Sequence, residues 1–305
     1  MSKKILTVFI TALLIISSAG CSNSNKPQDN VKNSGSKIRV VVTFNAVREF
    51  AYAIGKDKVD ITTLVPDGTE PHDFEPKAKD MENISDTKVF IYNGLGMENW
   101  TDRTLKAIDN KNLIVVDASK GSNPIKNYNR SEMQEHGQYD PHLWLSLKGA
   151  KIESSNIKDA LIKADPSNKN YYEKNFNEFS KELDLLYSKY SEKFKSVSNK
   201  DFVTGHAAFA YLCRDFGLNQ KSIEDVFATG EPSTKQLKEL TDYCKKNNIK
   251  TIFMEDMTSP KVSETLAKEV NASVKKIYTI ENREDNKNYI ESMDSNLESI
   301  YNSLK

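Results

Sequence analysis

"DPSNKNYYEKNFNEFSKELDLLYSKYSEKFKSV", residues 165–197, decides the architecture. Tyr172, Phe176, Phe179, Leu183, Leu186, Tyr190 and Phe194 recur every three or four residues, which draws one apolar stripe along a single helix. Asp165 can cap it and Pro166 can stand at its first position. At 1.5 Å per residue such a helix runs about 45 Å, longer than a small domain is wide. A stripe of that length serves either a coiled-coil partner or two domains of its own chain. Its aromatic character and its run of only about four heptads favour the second.

Short apolar runs and helical patterns alternate on both sides of this helix. Strands are expected at 38–44, 59–65, 88–94 and 112–119, with helices at 45–55, 77–83 and 98–109. A further helix after "YDPHLWL" would be capped by Ser146. Beyond the long helix, strands are expected at 201–204, 249–255 and 272–281, and helices at 207–217, 231–248, 259–270 and 286–304. Continuous apolar strands separated by helices indicate parallel sheets covered on both faces. The fold class is therefore α/β, with two lobes, each a mostly parallel sheet flanked by helices. The N-terminal lobe takes 38–164, the linker helix 165–197 and the C-terminal lobe 198–305. The two lobes share no legible sequence repeat.

Composition narrows the function classes. The chain has 305 residues, 38% hydrophobic and 28% charged, with 43 Lys+Arg against 43 Asp+Glu. A balanced charge leaves no electrostatic footprint for nucleic acid. Three cysteines (Cys21, Cys213 and Cys244) are too few for a disulfide scaffold or a thiolate metal cluster. Cys213 and Cys244 fall on apolar helix faces as small buried hydrophobes, with one disulfide between them left open. The N-terminus opens with Lys3 and Lys4, continues with apolar residues from Ile5 to Ile16 and ends in "SSAGC". This apolar run is shorter than the roughly 20 residues a bilayer requires, and it reads as a secretory signal over 1–20. Cys21 then resembles the lipidated cysteine of a bacterial lipobox, although Ser18 stands where that box usually has leucine. Residues 21–37, rich in Ser and Asn, suit a flexible tether between lipid and domain.

Four residues then stand out. His72 lies in "VPDGTEPHDFEP" (65–76), a proline-stiffened loop just past a strand. His142 lies in "YDPHLWL", His206 at the turn after 201–204, and Glu281 at the end of the last strand. Open α/β sheets place their sites outside the carboxyl ends of the strands, so facing lobes could bring all four together. Three imidazoles and a carboxylate suit zinc, and a nitrogen/oxygen set also admits manganese, iron, cobalt or nickel. Glu70, Asp73, Asp140 and Glu255 are nearby acids that could receive ligand N–H groups. Each histidine alone has an ordinary reading as a packed, capping or solvated side chain, and His136 in "QEHGQYD" is read as solvated. Glu284 or Asp285 would serve almost as well as Glu281 on pattern alone.

Taken together, these segments resemble the zinc/manganese-specific solute-binding lipoproteins of bacterial ABC transporters, the cluster A-I or cluster 9 family. "LVPDGTEPHDFEP", "YDPHLWLS" and "FVTGHAAFAYLCRDFGL" match its three successive ligand loops. "KIYTIEN" matches the strand that supplies a final carboxylate, and the long helix matches its rigid linker. The resemblance covers the chain after the signal. It implies metal ligation by His72, His142, His206 and Glu281, and lipidation of Cys21. In this family a histidine third ligand with a glutamate fourth marks the zinc branch, whereas manganese importers commonly carry glutamate and aspartate there. The long histidine-rich loop of many zinc members is missing from "NYNRSEMQEHGQYD", so Mn²⁺ or Fe²⁺ stays open as the alternative.

The implied function is capture of Zn²⁺ in the cleft between the lobes and delivery to an ABC transporter permease. The protein would be a monomer on the outer face of the cell membrane, held by its lipid, with no nucleic-acid partner and no enzyme activity. A surface adhesin and an organic-solute binder are rival readings. A zinc hydrolase is another, against which stands the lack of an HExxH motif.

Overall fold

The computed structural model describes residues 37–127, 133, 137–228, 232–256 and 260–305. The signal, Cys21, all of the tether but Lys37, and His136 lie outside the described residues. Strands β1 (Ile38–Val42), β2 (Val59–Thr63), β3 (Val89–Tyr92) and β4 (Ile114–Asp117) form an all-parallel sheet in the order β2-β1-β3-β4. Strands β5 (Asp201–Thr204), β6 (Asn219–Ser222), β7 (Thr251–Met254) and β8 (Ser273–Lys276) form a second in the order β6-β5-β7-β8. The two orders are the same pattern, so the lobes repeat in topology where they do not repeat in sequence. The inner strands β1 and β3 are apolar because both of their faces are covered.

Helices α1 (Asn45–Gly55), α2 (Ala78–Ser85), α3 (Thr101–Ala107) and α4 (Leu147–Ala164) belong to the first half of the chain. Ser146 caps α4 as expected, its Oγ accepting from Gly149 N at 2.9 Å. The linker is α5 (Lys169–Lys195), 27 residues and so about 40 Å long. It is shorter than the expected 165–197, because Pro166–Asn168 forms a separate 3-10 turn. Asp165 does not cap backbone N–H groups; its carboxylate instead accepts from the side chains of Ser167, Asn168 and Tyr172. The expected stripe is otherwise buried along α5, with Phe176 only half-buried. It packs on α1 and α4 on one side, and on α6 (Ala210–Phe216) and α9 (Tyr289–Ser303) on the other. Helices α7 (Thr234–Lys246) and α8 (Pro260–Glu269) cover the second sheet.

One core cluster runs from Val40 and Phe50 through Tyr172 and Leu183 to Phe202, Phe209 and Ile280, joining both sheets to the linker helix. A smaller cluster around Val203, Leu240 and Ile252 belongs to the second sheet alone. Cys213 sits in the first cluster and Cys244 in the second, and both are buried free thiols, which leaves the open disulfide unformed. The expected strand 272–281 is paired only over Ser273–Lys276; beyond it the chain leaves the sheet and runs irregularly to α9. Among the described residues no helix is long and apolar enough to cross a membrane.

Candidate metal centre

The loop after β2 is a built object. Gly68, at φ 80°, allows the turn that Thr69 N closes onto Pro66 O. Pro71 then starts a 3-10 turn over Pro71–Asp73, and Glu70 accepts from His72 N at 3.3 Å. The turn brings the His72 ring inward, where the residue is only 4% exposed. His142 precedes a second 3-10 turn, Leu143–Leu145, and is fully buried. Its backbone N–H and its ring Nδ1 both lie 2.9 Å from Asp140 Oδ1. A carboxylate only accepts, so Nδ1 carries a hydrogen, and Nε2 is the ring nitrogen that faces the other imidazoles. His206 follows β5, its carbonyl accepting from Thr204 Oγ1 and Gln220 Nε2, its N–H donating to Glu255 Oε1 at 3.3 Å.

Glu281 comes from the irregular segment after β8. Ile280 before it stands at φ 62°, a left-handed conformation that a β-branched side chain adopts only under constraint. Thr279 Oγ1 donates to Glu281 Oε2 at 2.7 Å, which turns the other oxygen inward. Oε1 lies 3.7 Å from both His72 Nε2 and His142 Nε2 and has no hydrogen-bond partner among the described residues.

Donor atoms of His72, His142, His206 and Glu281 thus all lie within 4.8 Å of one another. The spacing can be tested against zinc. A tetrahedron with metal–nitrogen bonds of about 2.0–2.1 Å has edges of about 3.3–3.4 Å. Nε2 of His142 is 3.2 Å from Nε2 of His72 and 3.3 Å from Nε2 of His206. Two edges are in place, and the carboxylate oxygen stands slightly outside its vertex.

Electrostatics points the same way. Burial, with the neighbouring His142, holds the His206 imidazole well below its ordinary range, so it stays neutral and keeps one ring-nitrogen lone pair for a metal. Burial pushes the Glu281 carboxyl well above its ordinary range, helped by Glu70 and, more weakly, by Glu255 and Glu284. A buried carboxylate facing further acids is costly to ionise alone, and a divalent ion supplies the opposing charge. Of the four acids anticipated, Asp140 and Glu255 face imidazole nitrogens and Glu70 adjoins His72, whereas Asp73 is exposed and acts only on the charge of Glu70. Sequence reasoning missed Thr279 and Phe227. The Phe227 ring meets His72 edge-on, 5.2 Å between centroids. Neither residue type announces such a role; only the folded proximity does.

A two-lobed α/β scaffold that brings three imidazoles and a carboxylate into one buried set defines the class: a two-lobed metal-binding protein. The chain belongs to the family described as zinc-uptake complex component A, periplasmic (ZnuA), whose model matches residues 40–303. A Treponema pallidum (strain Nichols) protein named for metal binding is 47% identical over 273 residues, 87% of this chain and 86% of its own. The high-affinity zinc uptake system protein ZnuA of Bacillus subtilis (strain 168) is 37% identical over 320 residues, 100% of this chain and 99% of its own. Among solved structures, the laminin-binding protein Lmb of Streptococcus agalactiae aligns with a TM-score of 0.81 at 35% identity, covering 88% of this chain and 100% of that one. Lmb is described as bifunctional, with adhesin and metal transporting activity.

Proposed function

We propose that this protein captures Zn²⁺ with His72, His142, His206 and Glu281 and delivers it to an ABC transporter permease. The observation that carries the reading is the buried set of four donors, two of whose nitrogen–nitrogen spacings match tetrahedral edges. Three nitrogens and one oxygen at that spacing favour zinc over manganese, which prefers more oxygen ligands in an octahedron. A carboxylate in the fourth position closes the shell and leaves no open site for an activated water, so capture is favoured over hydrolysis. The ligands come from segments of both lobes, so a small separation would suffice to release the ion. The protein acts as a monomer, with residues 38–164 and 198–305 as its lobes.

Purified protein stripped of metal and dialysed against mixed zinc and manganese should retain one zinc per chain. His206→Ala should lose it. Equal retention of both metals, or none, would refute the assignment. Lipid anchoring at Cys21 would place the protein on the outer face of the membrane, and Cys21→Ala should shift it from the membrane fraction to the soluble one. Adhesion is the second reading, resting on the likeness to Lmb. It predicts binding to laminin by the metal-free protein.

A further inference from the structure

Glu281 stands late in the chain, but its segment is held by the first helix. Asn45, the opening residue of α1, is 6% exposed and does not cap its own helix. Its side-chain amide donates to Ile280 O at 3.2 Å and to Asn282 O at 3.0 Å. Its backbone N–H donates to Glu281 O at 3.3 Å. Three successive carbonyls, those of the candidate ligand and both its neighbours, therefore accept from one residue more than two hundred positions earlier. Ile280 is held left-handed within that grip. Trp144 Nε1 fixes the approach by donating to Thr279 O at 2.7 Å, and Gly68 N fixes the exit by donating to Asn282 Oδ1 at 2.9 Å.

We propose, on the basis of the zinc-capture reading above, that Asn45 is a positioning residue of the metal site: it sets the backbone of 280–282 so that the Glu281 carboxylate faces the three imidazoles. The segment bearing Glu281 is then carried by the N-terminal lobe although it follows the last strand of the other. An aspartate at position 45 would preserve the size but offer no amide donor, and its carboxylate would face two carbonyls. Groups that orient metal ligands from outside the shell typically change affinity about 10–100-fold when removed.

The test is a double-variant cycle on the full protein. Zinc dissociation constants are measured by competition with a chromophoric chelator for wild type, Asn45→Ala, Glu281→Ala and the double variant. Visible absorption of the Co²⁺-loaded proteins and melting of the metal-free ones are recorded alongside. Asn45→Ala should weaken zinc about 10–100-fold, move the Co²⁺ spectrum toward that of Glu281→Ala, and add nothing further in the Glu281→Ala background. Wild-type affinity and spectrum in Asn45→Ala would overturn the inference, whatever happens to melting. A loss of the same size in both backgrounds would also overturn it, because the effect would then not pass through Glu281. If Asn45→Ala fails to fold, Asn45→Ser keeps one donor and carries the same comparison. Wild-type protein that binds no zinc would instead sink the capture reading itself, a result separable from all of these.

Discussion

At the scale of single residues, the candidate site pairs two opposite perturbations. His206 is held neutral by burial, so it has no proton to lose when an ion arrives near neutral pH. Glu281 is held protonated to higher pH than an ordinary carboxyl, whose reference value is 4.5. Binding a dication requires Glu281 ionised. Between the ordinary carboxylate range and its raised value, zinc binding must therefore expel a proton from Glu281, and affinity must climb with pH. Calorimetric titration of zinc in buffers of different ionisation enthalpy gives the number of protons released. Glu281→Gln should reduce that number by up to one at the same pH. An unchanged proton count would mean that Glu281 is already ionised in the free protein or never meets the metal.

At the scale of elements, what was legible in the sequence follows from burial. Strands β1, β3 and β7 read as apolar runs because both of their faces are covered. Helix α5 declared itself because its buried stripe spans two lobes. Strand β6, "NQKS", could not be read: it is a polar edge strand, made by pairing Asn219–Ser222 with Asp201–Thr204 and not by any apolar pattern of its own. The overlong reading of β8 has the complementary cause. Residues Ile277, Tyr278 and Ile280 are apolar because they enter the shared core, not because they pair in a sheet. The three histidines were legible through the loops that carry them, with Pro71 and Asp140 as local signals. Asn45 was not, since its role depends on a contact with Ile280 and Asn282 that only the folded chain creates.

At the scale of the whole molecule, the architecture sets how far the lobes can part. A hinge of loops joining separate cores permits wide closure about a ligand. Here the largest core cluster is common to both sheets and to α5, so wide opening would expose packed aromatic surface. Polar ties reinforce it across the divide. Tyr211 Oη donates to Asp140 O at 2.6 Å, Ser146 Oγ to Asp215 Oδ2 at 2.5 Å, and Tyr289 Oη to Trp144 O at 2.6 Å. Such a molecule can release a buried ion through a displacement of the order of one bond length, because coordination fails once a donor moves well beyond about 2 Å. Small-angle scattering should therefore give metal-free and zinc-loaded protein nearly the same radius of gyration, about 18 Å for the folded part and differing by less than about 1 Å. Agreement within that bound, together with faster hydrogen exchange confined to the His206 and Glu281 segments when zinc is withdrawn, would place release in the ligand loops. A change of several ångströms would show that the shared core breaks on release, and that the long helix bends instead of bracing the lobes.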